Sequence, residues 1–72
     1  MSTVYSQVEA QYFRENLSLL MEKYEGEYII LVGTEVVAHD KNGKRAYDIA
    51  RERYPTEVIF LAQVPRKELA IL

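Results

Sequence analysis

The sequence predicts an α+β fold: two layers in the order α-β-β-α-β, with a three-stranded, mainly antiparallel sheet packed against two helices. Three observations predict it. The stretch from Thr3 to Glu25 has no Pro or Gly and is rich in Glu, Gln, Leu and Met, as a helix is. "YIILV" (Tyr28 to Val32) and "EVVAH" (Glu35 to His39) flank Gly33-Thr34, the layout of a tight hairpin. "EVIFLAQV" (Glu57 to Val64) lies between Pro55 and Pro65 and reads as a third strand, with a helix before it.

Each element has its own justification. Ser2 or Thr3 can cap the first helix. At 100° per residue Ala10, Phe13, Leu17, Leu20, Met21 and Tyr24 share the face expected to pack on the sheet. A second stripe, Val4, Tyr5, Val8, Tyr12 and Leu19, has two readings: a long helix wrapping a curved core, or a contact with another chain. Lys23 suits the C-terminal end of the helix dipole, and Gly26 suits the left-handed position after a helix. Gly33 stands where a type II′ turn requires glycine. That turn pairs Val32 with Glu35, Leu31 with Val36, Ile30 with Val37 and Ile29 with Ala38. Ile29, Leu31, Val36 and Ala38 then form the core face, while Tyr28, Ile30, Val32, Glu35, Val37 and His39 form a mixed second face.

Asp40 or Asn42 can cap a second helix, about 43–54. Its inner face is Ala46, Ile49, Ala50 and the stem of Arg53, and Pro55 ends it. The run Val58 to Ala62 is apolar on both faces, as in a strand covered on both sides. The tail 65–72 is amphipathic. Sheet order 2-1-3, all antiparallel, is favoured over 1-2-3 with a parallel pair, and either order leaves one sheet face open.

Seventy-two residues allow one domain with a marginal core. Apolar residues are 49% and charged residues 28%, an ordinary globular balance. The absence of cysteine and the single histidine exclude a disulfide framework and the thiolate or His-rich metal sites. No cofactor is expected. A net charge of -2 gives no reason for non-specific nucleic-acid binding. No apolar run approaches the roughly 20 residues of a membrane span, and "MSTVYSQVEA" lacks a signal-peptide layout. The expectation is a cytoplasmic protein without a membrane role. Small chains without staples often gain stability by pairing, so a homodimer or a protein partner is expected.

Candidate chemistry is sparse. His39 has a side chain suited to proton transfer near neutrality, but adjacent Asp40 points to the other face, so a strand-end histidine is the simpler reading. Gly26 and Gly33 belong to no phosphate-loop pattern. Lys41, Lys44, Arg45 and Arg51, at and along the second helix, are candidates for anion or nucleic-acid binding. Candidate interface residues are Val4, Tyr5, Val8, Tyr12 and Leu19 on the helix and Ile30, Val32 and Val37 on the second sheet face. Of six tyrosines, Tyr24, Tyr28 and Tyr54 read as core-edge packing. Glu25 and Glu27 read as loop charges around Gly26.

The runs "LLMEKYEGEYIILVGTEVVAHD", "AYDIARERYP" and "EVIFLAQVP" resemble a small prokaryotic family, domain of unknown function 5678. Tyr24, Gly26, Tyr28, Val36, Val37, Tyr54, Pro55, Val64 and Pro65 carry the likeness, which covers about 17–65. Gly33-Thr34 stands where that family usually has Asp-Gly, and Asp40 where glycine is common. The resemblance implies no activity and no site residues. The strand–strand–helix–strand order is also similar to HicB-type antitoxins, which suggests partner capping by analogy only. The leading expectation is therefore a non-enzymatic protein-interaction module, homodimeric or partner-capping. Nucleic-acid or anion binding, and then a small enzyme using His39, are the alternatives.

Overall fold

The computed structural model describes residues 4–66, with side chains from Gln7 onward. Its elements are α1 (Val4–Glu15), α2 (Leu17–Tyr24), β1 (Tyr28–Val32), β2 (Glu35–Asp40), α3 (Gly43–Arg53) and β3 (Phe60–Gln63). The fold is α+β, and the sheet has three antiparallel strands in the order β2-β1-β3. This is the favoured 2-1-3 order, with the most apolar strand in the centre.

The long first helix is in fact two. Asn16 takes φ -113° and ψ 21°, outside helical values. Its side-chain amide donates to the Tyr12 carbonyl at 2.9 Å, the local bonding by which Asn competes with a helix. The expected N-caps Ser2 and Thr3 lie outside the described residues. After α2 the chain makes a type II turn. Glu25 sits at φ -50°, ψ 125°, Gly26 at φ 78°, and Glu27 N–H donates to the Tyr24 carbonyl at 2.9 Å. That turn needs a positive φ at its third residue, which is the physical reason for Gly26.

The hairpin turn also meets expectation. Gly33 has φ 65°, and no non-glycine described residue, Thr34 included, has a positive φ, which fits type II′ and excludes type I′. The register starts as expected, with Val32 opposite Glu35 and Leu31 opposite Val36. It then shifts, so that Ile30 faces Ala38, Ile29 faces His39 and Tyr28 faces Asp40. Val37 is the extra residue of a β-bulge, and everything beyond it changes face. Ala38 therefore leaves the face to which the unbroken register assigned it, and His39 takes its place opposite Ile29.

The expected two layers become three. On one face Leu20, Ile29, Leu31 and Val64 form a buried cluster with Tyr12, Phe13, Met21, Tyr24, Val36 and Phe60 packed round it. On the other, Ile30, Ala38, Ala46 and Ala50 are buried, with Tyr28, Val37, Ile49 and Ile59 against them. α1 and α2 thus cover one face and α3 the other. The open face foreseen from the sequence is closed, because the crossover helix has two alanines at 0% exposure that let it lie close to the sheet. β3 is shorter than 57–64. Arg51 Nη1 donates to the carbonyls of Tyr54, Pro55 and Glu57 at 2.9, 3.2 and 2.9 Å, which ties the segment before the strand to α3 rather than to the ladder. Val58 and Leu61 are exposed, so the third strand is not covered on both sides. Nor does Arg53 join the inner face of α3: it is exposed.

Candidate functional site

Three places gather the residues that could do something. The first is the end of the sheet where β1 begins. The bulge puts His39 beside Glu27, where His39 Nδ1 and Glu27 Oε1 share a hydrogen bond of 2.7 Å. The imidazole also lies against the Tyr24 ring, with centroids 4.8 Å apart. The His39 side chain is 52% exposed. Its partners are therefore a loop carboxylate and an aromatic ring, not Asp40. The Asp40 carboxylate accepts from Asn42 N–H at 2.8 Å and helps to shape the entry to α3. Sequence reasoning missed the Glu27–His39 pair because no local signal marks a bulge at Val37.

The second place is the start of α3. Asn42 Oδ1 accepts from Arg45 N–H at 3.0 Å, so Asn42 is the N-cap. The basic candidates do not converge there. Lys44 pairs with Asp48 at 3.2 Å, both well exposed, which contributes little. Arg51 turns back into its own loop and lies 5.3 Å from the Tyr47 ring centroid. Arg45 is exposed. Lys41 belongs elsewhere: with Glu25, Gly26 and Arg66 it lines a shallow cleft of about 360 Å³. An anion arriving at α3 would meet Asp40 and Asp48 as well as the cations.

The third is the exposed apolar surface. Of the interface candidates, Val8 and Leu19 are exposed at 51% and 47%. Tyr12 instead packs on the core. Ile30 is fully buried under α3, and Val37 packs there too; Val32 is half-buried. Ile30 is thus removed from any surface, for the same reason that the open face is lost. Val4 and Tyr5 have side chains outside the described set. Sequence reasoning passed over Val58 and Leu61, exposed at 49% and 44%. The sequence signal was present, an apolar run read as covered on both faces, but α3 leans toward β2 and β1 and leaves Leu61 exposed.

Among the described residues no group of three His, Cys, Asp or Glu side chains could hold a metal ion, and no helix is long and apolar enough to cross a membrane. The comparison with family models matches residues 19–67 to a family described as "Family of unknown function (DUF5678)". The searches of curated proteins and of solved structures returned no match.

Proposed function

We propose that this chain, which belongs to the family of unknown function DUF5678, is a non-enzymatic protein-interaction module that pairs with itself or caps a protein partner. One observation carries the reading: Val8, Leu19, Val58 and Leu61 remain 44–51% exposed on a chain whose own core is small. A 72-residue chain buries a modest share of its surface, and leaving large aliphatic side chains in water forgoes burial energy that a partner can recover. The chemistry-bearing groups are otherwise engaged locally. His39 is held by Glu27 and Arg51 by its own loop. As part of the same reading the module works in the cytoplasm of a prokaryotic cell.

The test combines sedimentation velocity over a wide concentration range with affinity capture from the source cells. Concentration-dependent self-association, or a retained protein whose binding falls when Val8, Leu19, Val58 or Leu61 is replaced by aspartate, supports the reading. A monomer at every concentration that retains no protein refutes it.

A further inference from the structure

We infer that the outer edge of β3, which pairs with no other described strand, is the self-association surface, and that two copies join there in antiparallel fashion to make one continuous sheet of order β2-β1-β3-β3-β1-β2. The inference rests on the interaction reading and names the surface and the partner, a second copy of this chain.

The two edges of the sheet differ. β2 is guarded: it carries Glu35, His39 and Asp40 and contains the bulge, the devices by which edge strands avoid pairing. β3 reads Phe60–Gln63, "FLAQ", with no charge and a regular register against β1. Its outward groups can be identified. Val64 N–H donates to the Glu27 carbonyl at 2.8 Å, and the Val64 carbonyl accepts from Gly26 N–H at 3.1 Å. Both backbone groups of Val64 thus point at the chain entering β1. Antiparallel strands alternate the direction of these groups, so Ala62 and Phe60 also face β1, while Leu61 and Gln63 direct theirs outward. Arg51 fixes three carbonyls in the segment just before the strand, so the approach to the edge is already ordered.

Side chains favour the same union. Leu61 lies opposite Ile30, on the face that α3 covers, but α3 leans over β2 and β1 far more than over β3. Leu61 therefore stays exposed beside the edge. When β3 pairs with itself about Leu61, the two leucines become neighbours on one face, as directly opposed residues do. Charge selects the antiparallel sense. The segment is acidic at Glu57 and basic at Arg66, so antiparallel copies bring acid toward base at both ends and parallel copies bring like toward like. Arg66 now lies against Gly26 and swings outward to make that contact.

The experiment is sedimentation velocity with light scattering on the full chain, from about 10 μM to 1 mM, a range that spans weak association. The wild type self-associates. Leu61→Lys, at a surface position, keeps the circular dichroism of the fold and weakens association about tenfold or more. Glu57→Arg and Arg66→Glu each weaken it, and the double exchange restores it, which decides the matter should Leu61→Lys unfold. Leu19→Lys leaves it unchanged. A wild type that stays monomeric throughout overturns the inference. So does a dimer that survives Leu61→Lys and is lost with Leu19→Lys, although the interaction reading then stands. A monomer that also retains no protein from the cell removes both.

Discussion

Replacing Ile30 by alanine tests the three-layer arrangement directly. Ile30 is 0% exposed, in the central strand, beneath Ala46 and Ala50 of α3. Truncating a buried isoleucine costs about 2–5 kcal/mol, because lost transfer energy and the cavity both count. A central strand and a helix cannot easily collapse on the gap, so the middle of that range rather than its lower end, about 3–4 kcal/mol, applies. Leu61 lies directly opposite on the neighbouring strand and the same face, but it is 44% exposed. Burial of a whole leucine is worth about 1.5–3 kcal/mol, so Leu61→Ala in the monomer costs about 1 kcal/mol. The assay is urea unfolding at dilute protein, followed by circular dichroism. For a chain of 72 residues the total stability is about 4–11 kcal/mol and the slope about 1 kcal/mol/M. The midpoint then falls by about 3–4 M for Ile30→Ala and about 1 M for Leu61→Ala. If the two substitutions cost the same, near 1 kcal/mol, α3 does not cover the sheet and the reasoning fails.

Four further outcomes follow from single contacts. Asn42→Ala removes the oxygen that accepts from Arg45 N–H and lowers stability by about 1 kcal/mol, a drop of about 4–8 °C in melting temperature. Gly26→Ala meets only ordinary contacts, the nearest Arg66 at 3.6 Å. Its cost is therefore backbone strain at positive φ, about 1–2 kcal/mol, read by the same melt. Arg51→Lys cannot reproduce a planar group reaching three carbonyls, so amide exchange speeds up around 55–58 while the middle of α3 keeps its protection. His39→Ala breaks a bond between partly exposed groups and changes stability by less than about 1 kcal/mol, measured by urea titration.

The sequence carried the elements and both glycine turns, because these are written locally, and it favoured the observed sheet order without fixing it, because strand neighbours are not a local property. β-branched runs, a II′ turn at Gly33 and a Pro stop at Pro55 each act within a few residues. Three features were out of reach, two because they depend on contacts made elsewhere and one because a single local bond overrides composition. The bulge at Val37 has no residue signature, since valine suits a regular strand as well as a bulged one. Yet it moves Ala38 under α3 and brings His39 to Glu27. The side on which α3 packs follows from the handed crossover between β2 and β3 and not from the helix itself. The break at Asn16 rests on one side-chain bond to the Tyr12 carbonyl, in a stretch whose composition favours an uninterrupted helix. Ile30 passes from candidate surface to core because α3 packs over it, and Leu61 is exposed because α3 leans toward β2 and β1.

The family match begins at residue 19, inside α2, so α1 precedes the matched segment. It is nonetheless part of the core. Tyr12 and Phe13 pack on the cluster of Leu20, Ile29, Leu31 and Val64, and the Phe13 and Phe60 rings stand 6.3 Å apart. Glu9, 7% exposed, accepts from Gly33 N–H at 2.9 Å and so ties α1 to the hairpin tip. That tie is costly, because Glu9 Oε1 is buried without a hydrogen-bond partner among the described residues and an unmet buried polar atom costs about 1–3 kcal/mol. The apolar contacts of Tyr12 and Phe13 have to outweigh it. α1 is therefore the cover of one sheet face, held by aromatic packing against an electrostatic cost. A chain with the matched segment alone would leave that face to the part of α2 from residue 19 to Tyr24, and Leu31 and Phe60 would need another surface to lie against.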